Sequence, residues 1–164
     1  GRNVIAVGKI FDIFDGEGVT EKIKTTGNTN GIAFTKALQT RDFEGLAFVN
    51  LVDFDMLYGH RRDVAGYAAA ATEFDKFVAD FIPGMRDGDI LMVTADHGCD
   101  PSYTKTTDHT REYVPYLICG KGVKPGVDLG TRLCFGTIAH TICDYLGVDA
   151  STLDGQSVLG DILA

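Results

Sequence analysis

The strongest constraint on the fold is a series of short apolar runs along the chain. Gly45–Asp53 is a near-continuous apolar run, which is typical of a strand covered on both faces. Asn3–Ile10 and Asp89–Thr94 show the same pattern. Tyr113–Cys119 is also apolar, and Pro115 within it indicates a sheet edge or a bulge. We therefore predict strands at these four places.

Helical periodicity separates these runs. A helix is predicted from Asp63, which can cap its start, to about Phe81, because apolar residues recur on one helical face over this range. Pro83-Gly84 ends this helix. Asn30–Gln39 and Arg132–Gly147 are two further predicted helices. Strands that alternate with helices indicate an α/β fold with a mostly parallel sheet flanked by helices. We expect residues 1–164 to form a single domain.

Composition excludes several classes of protein. The chain has 164 residues, of which 45% are hydrophobic and 23% charged, as in ordinary globular domains. No apolar run reaches the roughly 18 residues of a membrane-spanning helix, so no membrane partner is expected. The net charge of −8 disfavours electrostatic binding to nucleic acid. An anionic ligand would need a local site at which metal ions or a few basic side chains reverse the field.

The cysteines and the start of the chain bear on its origin. Cys99, Cys119, Cys134 and Cys143 include no CxxC pair, and we interpret them as free thiols of a reducing compartment, mostly buried. No signal peptide is apparent, and the absence of an initiator Met suggests a removed tag or a piece of a longer chain.

Acidic residues and histidines follow two of the predicted strands. Asp55 and His60 come after the second strand, Asp96 and His97 come after the third, and His109 lies in the polar loop that follows. In an open α/β sheet, ligands bind outside the carboxyl ends of the strands. Carboxylate oxygens combined with imidazole nitrogens suit zinc, manganese or iron. These clusters are therefore candidate metal ligands.

Each of these features also has a structural interpretation. An Asp-His pair after a strand is often only a capped turn. Lys9 ends an apolar run, where a lysine is either an extended surface side chain or a cation that binds phosphate. His140 lies in the middle of a predicted helix and is interpreted as a surface or half-buried residue. Arg61 and Arg62 are interpreted as solvated surface charges, although they follow a candidate ligand closely.

Several segments resemble a known superfamily. Asp55 with His60, the TADHG segment at 94–98 and Asp108-His109 resemble the alkaline phosphatase superfamily, whose members use two adjacent metal ions. Within it, the segments GKIFDIF, NLVDFD and YGHR, together with ADHGCDP, are similar to the phosphopentomutase family.

The resemblance implies an activity and a cofactor. Phosphopentomutases are cytoplasmic isomerases of nucleoside salvage that interconvert ribose or deoxyribose 1-phosphate and 5-phosphate. A phosphothreonine donates its phosphoryl group to the sugar, a bisphosphate intermediate follows, and two divalent ions, typically manganese, are required. The implied ligands are Asp55, His60 and His109 for one ion and Asp96 and His97 for the other, with Lys9 contacting the pentose phosphate substrate.

The resemblance covers the C-terminal part of the family's catalytic core. The family's phosphorylated threonine, a further aspartate ligand and an inserted cap domain have no counterpart in this sequence. We therefore expect an alkaline-phosphatase-like C-terminal half that lacks mutase activity alone. Its partner would be the missing N-terminal half, and exposed apolar sheet edges would favour self-association.

Two other functions stay open at this point. One is a different member of the superfamily, such as a cofactor-independent phosphoglycerate mutase or a phosphatase. The other is a non-catalytic α/β module whose clusters are caps or a single structural metal site.

Overall fold

A computed structural model describes residues 1–163. Its contacts divide the chain into two compact units. The first comprises Gly1–Arg86 and Val93–Leu117, and the second comprises Asp87–Met92 and the chain from Ile118 onward. That the chain forms one domain stays a prediction.

The first unit is built on a parallel three-stranded sheet. Its strands are β1 (Asn3–Val7), β2 (Glu21–Ile23) and β3 (Gly45–Val49), and their spatial order is β2-β1-β3. Both neighbours of β1 run parallel to it. The central position of β1 explains its apolar sequence, because a strand flanked on both sides is removed from water. The α/β class with a parallel sheet is thereby confirmed.

Two helices and two shorter helical segments complete the first unit. They are α1 (Ile10–Ile13), α2 (Asn28–Leu38), a π-helix (Phe54–Gly59) and α3 (Val64–Phe81), which continues into a 3-10 turn (Ile82–Gly84). The predicted cap of α3 is confirmed, because the Gly66 amide donates a hydrogen bond to Asp63 Oδ1 at 2.9 Å. The predicted stop at Pro83-Gly84 is confirmed to within a turn.

The core of this unit lies between the sheet and α2. Ile5, Val7 and Leu38 are buried together, and the surrounding residues are Ile23, Phe43, Ala47 and Val49. The parallel register places Ala47 beside Ile5 and Val49 beside Val7, so equivalent apolar side chains line up across the strands. This packing fixes where β1 and β3 end, and therefore where the segments that follow them begin.

Two further strands and two further helices follow α3 along the chain. β4 (Leu91–Thr94) and β5 (Tyr116–Cys119) are neighbours in a separate two-stranded sheet. In the second unit, α4 (Gly136–Leu146) ends at Gly147, whose φ of 64° is left-handed, and α5 (Leu159–Ile162) follows. No helix in the described part of the chain has the length and apolar character that crossing a membrane requires.

Several sequence predictions need correction. β3 ends at Val49 instead of Asp53, and β5 begins at Tyr116 instead of Tyr113. The four cysteines are free thiols, as predicted, but none of them is fully buried. β1 ends at Val7 instead of continuing to Ile10, because Gly8 turns the chain with a φ of 87°. The predicted helix from Arg132 begins only at Gly136. Strand β2 was not predicted, since its sequence Glu-Lys-Ile is short and mostly charged.

Candidate metal centre

The π-helix determines the first part of the site. Its amide hydrogen bonds join residues five apart: His60 donates to the Asp55 carbonyl, and Asp63 donates to the Tyr58 carbonyl, both at 2.9 Å. This wider turn places side chains that are five residues apart on one side of the helix. Asp55 and His60 therefore project together, with 3.2 Å between Asp55 Oδ1 and His60 Nε2.

The packing of α3 holds this π-helix in place. The ring of Phe54 lies 5.4 Å from the ring of Tyr67 and 6.4 Å from that of Phe74, and both contacts are edge-to-face. Gly59 is buried, and a Cβ atom there would lie 2.5 Å from Cys99 Sγ. Glycine is thus required for the π-helix to approach the segment that follows β4.

The loop that ends at His109 brings a second imidazole to the same carboxylate. His109 Nε2 lies 3.4 Å from Asp55 Oδ1, and the His60 and His109 rings are 4.9 Å apart. The predicted trio of Asp55, His60 and His109 is therefore assembled around one carboxylate oxygen.

The segment after β4 adds a third imidazole. The His97 ring stacks on the His109 ring with 3.6 Å between centroids and an interplanar angle of 18°. One ligand atom each from Asp55, His97 and His109 lies within 4.8 Å of the other two. Asp96 is mostly exposed, and its Oδ1 lies 3.6 Å from His97 Nε2. The structure thus brings His97 to the first cluster and leaves Asp96 at its border.

The hydrogen bonds of the site show that it fits a cation. Asp55 Oδ1 is shielded from solvent and has no hydrogen-bond partner among the described residues. His60 Nδ1 donates to the Thr107 carbonyl at 2.5 Å, since a carbonyl can only accept, and His97 Nδ1 lies 3.1 Å from the Gly98 carbonyl. An imidazole that donates through Nδ1 can present a lone pair on Nε2, which is the form that binds metal ions. A lone pair that faces a carboxylate oxygen is repelled unless a cation lies between the two.

The same hydrogen bonds are typical of histidines that hold metals. Metal-binding histidines almost always donate their second ring N–H to a carbonyl or a carboxylate, which fixes the tautomer and the ring orientation. A donor set of carboxylate oxygen and imidazole nitrogen suits zinc, manganese or iron. The residues present therefore fit a divalent ion.

Lys9 lies next to the same part of the chain. It directly follows the sharp turn at Gly8, and its Nζ donates to Met56 Sδ at 2.7 Å. Met56 is the residue after Asp55, so Lys9 lies beside the π-helix. The Lys9 side chain is thus a cation beside the π-helix that carries Asp55.

A small cleft borders the centre. It has a volume of about 200 Å³, and residues that line it include Tyr67, His97, Cys99 and Glu112. Burial raises the pKa of the Cys99 thiol, and the nearby Asp55 carboxylate raises it further. Burial also raises the pKa of the Tyr67 hydroxyl. Both groups thus face the cleft in their neutral forms at neutral pH.

A larger cleft lies elsewhere in the first unit. It has a volume of about 520 Å³ at the start of α2, and Asp53 forms part of its wall. The Asn28 amide donates to Asp53 Oδ2 at 2.7 Å, and the Asp53 amide donates to Asn28 Oδ1 at 3.0 Å. The Asp53 carboxylate thus accepts a hydrogen bond from an amide at the start of α2. Of the two clefts, the smaller one is lined by His97 of the candidate metal centre.

Sequence reasoning missed one residue of this region. The interpretation of Arg62 as a solvated surface charge is wrong, because its guanidinium is hydrogen-bonded to several backbone carbonyls of the loop before His109. Its partners are carbonyl groups, which have no sequence signature. His140 is half-buried in α4, as predicted, and lies in the second unit.

Sequence comparison with known proteins places the chain in a family. The sequence profile of the Metalloenzyme superfamily matches residues 4–150. The chain belongs to this superfamily. A dependence on divalent metal ions therefore accords with both the family and the donor set of the site.

Curated relatives of the chain are named phosphopentomutases. The one from Acetivibrio thermocellus is 53% identical, and this chain aligns over 99% of its own length and 42% of the relative. For the Lachnoclostridium phytofermentans protein the identity is 52%, with 99% and 41% covered. For that of Desulfitobacterium hafniense strain DCB-2 the identity is 48%, with 99% and 42% covered. The chain thus spans about two-fifths of the length of these relatives.

Proposed function

We propose that the chain is the C-terminal part of the catalytic core of a phosphopentomutase. The activity would be the interconversion of ribose or deoxyribose 1-phosphate and 5-phosphate. The observation that carries this proposal is the shielded, unpartnered Asp55 oxygen surrounded by imidazoles, in a chain about half identical to phosphopentomutases along almost its whole length.

The proposed site holds two divalent ions, with manganese as the working ion. Asp55, His60 and His109 would hold one, and Asp96 and His97 would contribute to the other. Bound ions would supply positive charge that neutralises a phosphoryl group and orients the attacking and leaving oxygens. This explains how a chain with a net charge of −8 can act on an anionic sugar.

The chain's own residues would bind and orient the substrate. The Lys9 ammonium, next to the π-helix, would attract the substrate phosphate, because opposite charges attract. His60 and His97 would keep fixed orientations, since each Nδ1 is bound to a backbone carbonyl.

The rest of the enzyme would complete the site. The phosphorylated threonine, a further aspartate ligand and the cap over the sugar would come from residues outside this chain. We propose that this part covers the outer edge of β3 and the exposed Phe14 and Phe48 side chains. In its absence, a second copy of the chain would associate there. A cytoplasmic role in nucleoside salvage follows from the same resemblance.

The experiment that tests the proposal is an assay of a full-length protein that contains this chain. Ribose 1-phosphate and 3-phosphoglycerate are offered in parallel, each with manganese or with EDTA. We expect manganese-dependent formation of ribose 5-phosphate that is lost in His109→Ala, and no turnover of phosphoglycerate. Turnover of phosphoglycerate alone, or mutase activity unaffected by EDTA, would refute the proposal.

A further inference from the structure

Arg62 lies between the π-helix and the loop that carries His109. Its Nε and Nη2 donate to the Thr106 carbonyl at 2.9 and 2.6 Å, and Nη2 also donates to the Asp108 carbonyl at 2.5 Å. Nη1 donates to the carbonyls of Gly59 and Asp100 at 3.2 and 3.0 Å. One guanidinium therefore joins the end of the π-helix to both ends of the loop.

The contacts converge on the residues directly before His109. The Arg62 guanidinium donates hydrogen bonds to the carbonyls of Thr106 and Asp108, and His60 Nδ1 donates to the carbonyl of Thr107 between them. Three consecutive carbonyls thus point at the segment that carries Asp55 and His60. His109 comes next in the chain, and its Nε2 reaches Asp55 Oδ1.

Thr110, which follows His109, pairs with Gly98, but residues 106–108 have few other contacts that hold this shape. Thr106, Thr107 and Asp108 are all exposed, so apolar packing does not fix them. Their local hydrogen bonds are side-chain to backbone contacts within the loop, such as the Asp108 amide to Thr106 Oγ1 at 3.0 Å. Such local turns stabilise a loop without attaching it to a neighbouring element.

The backbone at Arg62 supports a special role for this side chain. Its φ is 54°, in the left-handed region that non-glycine residues other than Asn and Asp rarely adopt. The turn directs the guanidinium toward the loop, whereas the neighbouring Arg61 is exposed and has no hydrogen bond to the loop in the structure. A strained conformation persists when surrounding contacts compensate for it.

We propose that Arg62 is a positioning residue that fixes His109 against Asp55 and thereby sets the affinity of the site for its metal ion. The inference rests on the proposed function, because it takes Asp55 and His109 as ligands of the metal ion in that site. A planar guanidinium has five donors in a fixed arrangement on three nitrogens, so it can hold four separate carbonyls in a geometry that the three donors on a single lysine nitrogen cannot match. Residues outside the ligand set that orient the ligands typically change metal affinity by about 10- to 100-fold when they are mutated.

The test compares Arg62→Lys and Arg62→Asn with Arg61→Lys and Arg61→Asn. Arg62→Asn introduces a residue that tolerates the left-handed backbone, so it removes the guanidinium without adding backbone strain. Amide hydrogen exchange of residues 100–112 is followed by mass spectrometry in metal-free protein. We expect exchange about tenfold faster in both Arg62 variants, since local exchange reports local opening, and unchanged exchange in both Arg61 variants.

The second readout is the manganese dissociation constant of the folded protein, from the electron paramagnetic resonance signal of free Mn²⁺. We expect it to rise about tenfold or more in the Arg62 variants and to change little in the Arg61 variants. A residue that only stabilises the fold would lower the unfolding temperature and leave this constant unchanged.

The possible outcomes separate this inference from the proposed function. Unchanged loop exchange in the Arg62 variants would overturn it, whether or not manganese binds. Faster exchange with an unchanged dissociation constant would overturn the positioning role and leave the metal site intact. If the wild-type chain bound no manganese while the loop still responded to Arg62, the metal centre would not be preformed in this chain, and Arg62 would be a structural contact only.

Discussion

The Asp55 side chain combines partial burial with an unmet hydrogen-bonding capacity. Its Oδ1 is shielded from water, yet its nearest polar neighbours are the Nε2 atoms of His60 and His109. A buried polar atom without a partner destabilises the fold by about 1–3 kcal/mol. Such a cost is expected at a binding site, where the ligand supplies the missing partner.

Asp55→Asn should therefore separate stability from metal binding. Without metal, we expect the free energy of unfolding to stay within about 1 kcal/mol of wild type or to rise, because a charge is removed from a shielded position. The manganese-induced rise in unfolding temperature should disappear. Urea unfolding and thermal melting measure the two quantities.

Asp75→Asn, on the exposed face of α3, is the matched control and should retain the full manganese effect. A large loss of metal-free stability in Asp55→Asn together with an unchanged manganese effect would show that Asp55 has a structural role only.

Candidate site residues could be predicted from the sequence where acidic residues and histidines directly follow a strand. The sequence predicted Asp55, His60 and His97 as candidate metal ligands because binding sites in open α/β sheets lie outside the carboxyl ends of the strands, and in the structure His60 and His97 lie close to Asp55. Arg62 was missed because an arginine that binds backbone carbonyls has the same sequence signature as a solvated one. The stacking of His97 on His109 depends on the path of a polar loop, which no periodicity encodes.

At the scale of elements, the interiors of the strands were easier to predict than their ends, although the candidate site residues lie just after the ends. Apolar runs predicted β1, β3 and β4, because burial on both faces leaves a direct mark on composition. The π-helix has a weaker sequence pattern, namely an Asp and a His five residues apart. The same spacing also occurs in ordinary turns and loops, so it does not predict a π-helix. Where β1 stops could not be read from hydropathy, because Gly8 ends it through backbone geometry.

Gly8→Ala tests whether that turn is required. A Cβ atom at Gly8 would lie 2.6 Å from the Asn50 carbonyl oxygen, and the φ of 87° disfavours any side chain. We expect a loss of about 2–4 kcal/mol in the free energy of unfolding, from left-handed backbone strain plus overpacking. The midpoint of urea unfolding measures this loss.

Gly18→Ala is the control for backbone strain alone. Its φ is 71°, and no atom lies within 4 Å of a Cβ atom placed there. It should cost only about 1–2 kcal/mol. Equal losses in the two variants would mean that the contact with Asn50 relaxes and that Gly8 has no special role in ending β1.

At the scale of the whole molecule, the first unit exposes apolar side chains beside an open sheet edge. Phe14 is 51% exposed and Phe48 is 40% exposed, and their rings lie 6.2 Å apart. β3, which carries Phe48, is the last strand of its sheet in the described residues. Open edges with apolar neighbours favour association with another chain.

We therefore expect the isolated chain to self-associate through this face. Sedimentation velocity should show an average mass that rises with protein concentration, and Phe14→Ser combined with Phe48→Thr should reduce this rise. Leu133→Ser, which removes an apolar side chain that is 91% exposed in the second unit, is the control. If Leu133→Ser alone abolished association, the face formed by Phe14 and Phe48 would not be the contact surface.

Asp55 and His109 are proposed to belong to a metal centre that is already formed in this chain. Thermal unfolding in EDTA and in excess manganese, for wild type and His109→Ala, tests it most directly. Ligand at about 100 times its dissociation constant stabilises a fold by about 2.7 kcal/mol, which raises the unfolding temperature of a chain of this size by roughly 5–10 °C. We predict a rise of this order in wild type and little or none in His109→Ala. Equal rises in both proteins, or no rise in wild type, would contradict a preformed site at these residues.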